Sequence, residues 1–211
     1  MHKLLIATRN AHKVAEIQTL LGEGFECLTL AAYPDVPDAI ENGETFGDNA
    51  AIKANTVAEW LRDKDLDHQV DFVLADDSGL EVDALDGAPG IHSARFAQED
   101  EEAGNSSDAD NNAKLLSLLA DKSGEEKSAR FRCVLALVSM TEADQGPAYF
   151  EGASEGRIQD AAAGGAGFGY DPLFIPAGHD QSYAELGEEL KNQISHRSGA
   201  LKQLRAHFER G

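Results

Sequence analysis

The sequence predicts an α/β protein. Short apolar runs of strand character alternate with stretches of helical periodicity, and the longest run, residues 129–140 (ARFRCVLALVSM), has the near-continuous hydrophobicity of a strand buried on both faces. The 211 residues, 42% hydrophobic and 27% charged, suffice for one sizeable core. No window approaches the ~20 apolar residues of a membrane span. The N-terminal Met1-His2-Lys3 lacks the long apolar stretch and cleavage site of a signal peptide, so a cytoplasmic protein is expected. A net charge of −20 argues against nucleic acid or an anionic membrane held along a broad surface, so any anionic ligand must meet local basic residues. The same acidity suits a surface adapted to high salt.

Residues 3–8 (KLLIAT) read as the first strand, and residues 9–13 (RNAHK) lead into a helix with Val14, Ile17, Leu20 and Leu21 on one face. Asn10 suits the N-cap. The free backbone N–H groups of the first turn, with Lys13, form a candidate phosphate site, although an ordinary capped helix with a solvated lysine gives the same pattern. Gly22 and Gly24 end this helix, and residues 25–30 form a second strand. A loop over residues 34–43 contains Glu41. Thr45 then opens a helix over residues 46–61, with Phe46, Ala50, Val57 and Leu61 as its apolar stripe and Asn49 and Lys53 one turn apart beside it.

Residues 72–75 (FVLA) form a strand that runs into Asp76, Asp77, Ser78 and Gly79. A buried strand ending there delivers two carboxylates to a sheet edge, where acids bind ligands, yet the same four residues equally suit a turn. Residues 80–83 alternate like a half-buried strand and residues 87–90 (GAPG) form a turn. Residues 99–110 (EDEEAGNSSDAD) read as a mobile acidic loop, followed by a helix carrying Leu115, Leu116, Leu118 and Leu119. Strand 129–140 is expected at the centre of the sheet with residues 149–158 as its partner.

Residues 161–171 (AAAGGAGFGYD) combine four glycines with Phe168 and Tyr170, which suits a flexible turn or a loop against which a flat ring stacks. Neither GxGxxG nor GxxxxGK[ST] occurs. Near the end, Ser195 is placed to cap a final helix with Leu201, Leu204 and Phe208 on one face. That places His196 and Arg197 beside an anion-attracting terminus, while a core histidine and a solvated arginine fit the pattern as well. Cys27 and Cys133 stand singly in apolar segments, as expected of buried thiols without a functional role.

These segments together resemble the Ham1-like, or inosine triphosphate pyrophosphatase, family. The resemblance rests on Thr8-x-Asn10-x-x-Lys13, on Glu41-x-Gly43-x-Thr45-Phe46-x-x-Asn49-Ala50-x-x-Lys53-Ala54 and on Ala75-Asp76-Asp77-Ser78-Gly79-Leu80. It continues with Gly87-Ala88-Pro89-Gly90, Ser93-Ala94-Arg95, Gly167-Phe168-Gly169-Tyr170-Asp171-Pro172, Lys191 and Ser195-His196-Arg197, so it spans nearly the whole chain. Two features depart from the family pattern: the long acidic loop, and Ala166 where bacterial relatives carry glycine. The resemblance implies a single domain over residues 1–211, with a mixed, elongated central sheet flanked by helices and two lobes whose cleft holds the active site. It also implies a homodimer.

By the same resemblance, the protein hydrolyses inosine, deoxyinosine and xanthosine triphosphates to monophosphate and pyrophosphate, removing deaminated purines from the nucleotide pool. Asp77 would be the general base, and Mg²⁺ would be held by Glu41 and Asp77. Thr8, Arg9, Asn10, Ala11, His12, Lys13, Lys53 and Lys191 would meet the phosphates, and Ser78 would touch substrate. Phe168, Gly169, Tyr170, Asp171, His196 and Arg197 would read the base, with Arg197 and backbone N–H groups donating to the 6-keto oxygen. The residue types suit this chemistry: Mg²⁺ binds through one or two carboxylates plus phosphates, and phosphoryl transfer needs mainly positioning and charge stabilisation. Two rival readings are a Maf-like nucleotide pyrophosphatase of other specificity and a nucleotide-binding module without turnover. The Ser-His-Arg and Phe-Gly-Tyr-Asp segments argue against the first, and the Glu41 and Asp77 pair against the second.

Overall fold

The computed structural model describes residues 1–98, 104–142 and 145–210. Its elements follow the expected alternation: β1 (His2–Ile6), α1 (Ala11–Leu21), β2 (Phe25–Thr29), α2 (Phe46–Asp63), β3 (Phe72–Val82) and α3 (Asp108–Leu118). Then come β4 (Ser128–Ser139), β5 (Ala148–Ile158), β6 (Phe174–Pro176), α4 (Tyr183–Ile194) and α5 (His196–Phe208). The strands form one six-stranded sheet in the order β2-β1-β3-β4-β5-β6. It is mixed, because β1 runs parallel to β2 and β3 while β6 runs antiparallel to β5. The interior place of β4, with β5 beside it, is the one its apolar run predicts.

Two compact units divide the chain, and the divisions fall inside β3, after Asp77, inside β4, after Arg132, inside β5, after Glu151, and at the first residue of α5, after His196. The first unit comprises Met1–Asp77, Cys133–Glu151 and Arg197–Gly211. Its strands are covered on both faces, which is why they read as unbroken apolar runs. Successive residues of a strand point to opposite faces, so Leu5, Val73 and Ala75 pack with Ala50, Ala54, Val57 and Leu61 of α2. Leu4, Ile6 and Leu74 pack instead with Ile17 and Leu21 of α1 and Ala200, Leu201 and Leu204 of α5. The second unit, Ser78–Arg132 with Gly152–His196, has its own core of Leu80, Val82, Leu115, Leu119, Phe131, Ile158, Tyr170, Phe174 and Tyr183.

Helix starts follow local chemistry. The Asn10 side chain caps α1, and Thr45 with Asp48 forms a reciprocal capping box at α2. Three expectations are corrected. First, β3 does not stop at Asp76: it continues to Val82, and it lies between β1 and β4 rather than at an edge. The acids nevertheless clear their neighbour, because the β1–β3 register ends at Ile6↔Leu74 and β3 outruns β1 beyond that point. Second, residues 108–110 of the expected acidic loop open α3, with Ser107 as cap and Asp108 and Asp110 in the first turn, where the helix dipole favours acids. Residues 99–103 of that loop lie outside the described residues. Third, β6 and α4 were not expected. Strand β6 has three residues, and Gly187 (φ 79°, ψ 169°) leaves helical geometry inside α4, so neither leaves a clean periodic signal.

Candidate active site

The strand alternation that sorts the core also separates the two aspartates. Asp76 follows Leu74 onto the face covered by α1 and α5, while Asp77 follows Ala75 onto the face covered by α2. Asp76 accordingly meets groups from three elements. Lys13 Nζ of α1 donates to Oδ1 at 2.5 Å, and Arg197 of α5 donates from Nε to Oδ2 at 2.8 Å and from Nη2 to Oδ1 at 3.4 Å. Cys133 Sγ of β4 donates to Oδ2 at 3.2 Å. Burial alone would raise the Asp76 pKa, but Arg197 and Lys13 overcome it and hold the carboxyl well below the usual carboxylate range. Burial, with Asp76 alongside, pushes the Cys133 thiol well up, so it stays a protonated donor.

Asp77 has the opposite balance. Lys53 Nζ of α2 donates to Oδ1 at 2.6 Å and reaches Glu41 Oε2 at 3.3 Å, so one ammonium group spans both carboxylates. Asp77 is 6% exposed, and its Oδ2 is buried without a hydrogen-bond partner among the described residues. Burial raises its pKa, and the pull of Lys53 and Lys13 does not fully offset this. The two neighbours thus have separate characters: a firmly ionised anchor and a carboxylate biased toward holding a proton.

At the start of α1, Thr8 Oγ1 accepts the Asn10 N–H at 3.2 Å, and Asn10 Oδ1 accepts the N–H groups of His12 at 3.0 Å and Lys13 at 3.2 Å. Two backbone donors expected to be free for phosphate are therefore already engaged by the cap. Arg9 holds the loop upstream of Glu41, with Nη2 on the Val36 carbonyl at 2.7 Å and Nε on Asp38 at 2.9 Å.

Arg197 differs most from its expected place. It is 1% exposed, and its guanidinium is bound to Asp76 and also pairs with Glu16. The guanidinium thus joins Asp76 of β3 to Glu16 of α1. Lys191 belongs to the second unit, is 3% exposed, donates to Asp171 Oδ2 at 2.6 Å and lies 4.6 Å from the centre of the Phe168 ring.

The glycine-rich turn is built around that pair. Phe168 N–H donates to Asp171 Oδ2 at 2.9 Å, and a Cβ at Gly167 (φ +77°) would come within 2.1 Å of the same oxygen, so only glycine fits. Helix α3 grips the turn from both sides: Asp108 Oδ2 accepts the Gly169 N–H at 2.6 Å and Asn112 Nδ2 donates to the Gly169 carbonyl at 3.0 Å. Tyr170 is buried, and its hydroxyl donates to the Ser93 carbonyl at 2.9 Å. His196 is also buried and stacks on Phe131 with ring centres 4.8 Å apart. Ser78 follows Asp77 along β3, half-buried.

Glu16, Cys133, Asp108 and Asn112 are site-forming residues that sequence reasoning passed over. Only the β3 and β4 pairing brings Cys133 to Asp76, and only the tertiary fold brings α3 to Gly169. Among the described residues no group of three or more His, Cys, Asp or Glu side chains is arranged to enclose a metal. The pair of Glu41 and Asp77 is nevertheless a hard oxygen donor set, already bridged by a cation and with one buried oxygen uncommitted. That fits Mg²⁺, which takes few protein ligands and fills its remaining positions with phosphate and water.

The protein is thus an α/β protein whose mixed sheet carries adjacent carboxylates past the end of a parallel neighbour, each acid matched to a lysine. The chain belongs to the Ham1 family, whose model matches residues 4–207. It is 43% identical over 209 residues to a dITP/XTP pyrophosphatase of Shouchella clausii, covering 99% of this chain and 98% of that one. It is 45% identical over 205 residues to the dITP/XTP pyrophosphatase of Exiguobacterium sibiricum, covering 97% and 96%. A HAM1 protein structure from Coxiella burnetii superposes with a TM-score of 0.84 at 37% identity, covering both chains fully. The Staphylococcus aureus Ham1 structure gives 0.80 at 36% identity over 98% of each chain.

Proposed function

We propose that this protein hydrolyses non-canonical purine nucleoside triphosphates, with dITP, ITP and XTP as substrates and monophosphate and pyrophosphate as products, and that residues 1–211 act as one catalytic domain. The names of its relatives support the substrate class. The observation that carries the chemistry is Lys53 spanning Asp77 and Glu41 while the second oxygen of Asp77 is buried without a partner. Mg²⁺, held by Glu41 and Asp77, supplies charge neutralisation and Lewis acidity to the triphosphate when bound.

Asp77 takes the proton of the attacking water, a role its raised pKa favours because proton affinity drives the transfer. Lys53, released from the two acids, and Lys13 face the phosphate charge that develops. Asp76, ionised and paired with Arg197, keeps Lys13 aligned. Phe168, Gly169, Tyr170, Asp171 and His196 are assigned to the base, with Lys191 and Asp171 bracing the turn, and Ser78 to substrate contact. Thr8, Arg9, Asn10, Ala11 and His12 shape the corner that presents Lys13.

We also propose a cytoplasmic homodimer. Both cysteines are free thiols, as a reducing compartment favours, and no described helix is long and apolar enough to cross a membrane. Sedimentation tests the dimer. The function is tested with a panel of inosine, deoxyinosine, xanthosine, guanosine and adenosine triphosphates in Mg²⁺, resolving pyrophosphate from phosphate. Release of phosphate alone, or turnover of adenosine triphosphate equal to that of inosine triphosphate, overturns the proposal.

A further inference from the structure

Glu41 lies in a stretch, residues 36–43, that has neither helix nor strand; Val36 at its start is buried in the core, but Ile40, next to Glu41, is 80% exposed, so core packing does not reach this carboxylate. Side-chain contacts do. Arg9 grips the stretch upstream at Val36 and Asp38, and downstream the Asn49 Oδ1 accepts the N–H of Gly43 at 2.9 Å. Asn49 is 0% exposed and sits one helical turn before Lys53 on α2. The fit at Gly43 is tight. An added Cβ would lie 2.5 Å from Asp48 Cβ and 2.8 Å from the same Asn49 Oδ1.

The Asn49 Nδ2 is buried and makes no hydrogen bond among the described residues. A small apolar residue at this helix position would bury without that unsatisfied donor. The amide therefore costs stability where it stands, and the contact it does make is to the backbone two residues beyond Glu41.

We infer that Asn49 is a positioning residue for Glu41: by clamping Gly43 it fixes the distance between Glu41 and Asp77 and so sets the affinity of the carboxylate pair for a divalent cation. The inference rests on the reading of Glu41 and Asp77 as the cation-holding pair. Groups that orient a metal-binding carboxylate affect affinity by about 10- to 100-fold when removed. The alternation of acid, clamp and lysine along one loop and one helix face then acts as a single unit, with α2 supplying both the clamp and the counter-charge.

Two readouts that need no turnover test this. Mn²⁺ binding to the substrate-free protein is measured by electron paramagnetic resonance, and amide exchange is followed over peptides covering residues 36–46. Asn49→Ala is expected to weaken Mn²⁺ binding about tenfold or more and to speed exchange in that segment. Asn49→Asp keeps an acceptor for the Gly43 N–H and is expected to recover slow exchange and tight binding. Gly43→Ala, which displaces the same contact from its other side, should match Asn49→Ala, and it guards against a variant that simply fails to fold. Wild-type Mn²⁺ affinity in both Asn49→Ala and Gly43→Ala overturns the inference, as does an Asn49→Asp protein as weak as Asn49→Ala. Glu41→Ala separates the two levels of the argument: if it binds Mn²⁺ as wild type does, the assignment of the cation pair itself has failed and the clamp's role fails with it.

Discussion

Asp76→Asn and Asp77→Asn should change stability by very different amounts, although the two residues are adjacent and similarly buried. Asp76 receives Lys13, two guanidinium nitrogens of Arg197 and the Cys133 thiol, and its side chain is fully enclosed. Removing its charge takes a buried carboxylate from the arginine, which also pairs with Glu16, and places an amide N–H₂ against existing donors. Breaking a buried pair in this way costs about 3–5 kcal/mol, a large share of the roughly 5–15 kcal/mol that holds a typical domain. Asp77 has the reverse linkage. Its folded pKa stands above the unfolded one, so its ionised form is disfavoured by folding, and the stability it contributes is fully present below the unfolded pKa and lost as pH rises. Replacing it with a neutral isostere at pH 7 relieves that burial cost but takes one carboxylate from Lys53, which keeps Glu41, so it should destabilise by less than Asp76→Asn does. For Asp76 the folded pKa is depressed, so its stabilisation is present above the unfolded pKa, near 3.9, and is lost as pH falls through the lower folded value. Urea unfolding at pH 7 of wild type and both variants measures the difference. Equal destabilisation by the two substitutions would refute the division of roles between them.

Four further outcomes follow from the same geometry. Asp77→Asn should lower kcat by about 10²–10⁴-fold while far-ultraviolet circular dichroism stays native, and wild-type turnover would end its assignment as base. In the metal-free protein the Asp77 carboxyl should titrate above the ordinary carboxylate value, because burial raises its pKa; a midpoint at or below about 4 for its side-chain carbon resonance contradicts this. Arg197→Ala should lower turnover of inosine and adenosine triphosphates by the same factor, since Arg197 is enclosed by Asp76 and Glu16; a loss confined to inosine triphosphate would restore a base-reading role. Raising salt from about 0.1 to 1 M should raise the urea midpoint, as screening relieves repulsion in a chain of net charge −20; an unchanged midpoint rules out a surface limited by its own charge.

Much of this arrangement is legible in the sequence because it rests on local rules. The cap at Asn10, the helix opened by Thr45 and the central place of β4 follow from short-range chemistry and periodicity. The lysine at position 53 lies one turn from Asn49, so its side of the helix could be read as well. What escaped reading depends on contacts distant along the chain. Arg197 lies 121 residues from Asp76, and nothing in Ser195-His196-Arg197 distinguishes an enclosed guanidinium from one that faces a ligand. Cys133 looks like any apolar strand residue until β4 is paired beside β3. The Asp-Asp-Ser-Gly segment misled in a different way: the apolar run stops at Ala75, so the strand reads as ending there with site and turn equally open, whereas the sheet extends β3 to Val82.

Because neighbouring residues of β3 face opposite layers, each acid takes its lysine hydrogen bond from a different layer, while the charge of Lys13 is still felt at Asp77. Substitutions in α1 or α5 reach the active strand chiefly through Asp76, and those in α2 through Asp77. Double-mutant cycles would register this as strong coupling within a layer, between Asp77 and Lys53, and near-additivity across it, between Lys53 and Arg197. The strand thus serves as insulation as well as scaffold. A one-residue slip of β3 that carried Asp76 into the place of Asp77 would put Ala75 against Arg197 and leave the arginine without its anchor.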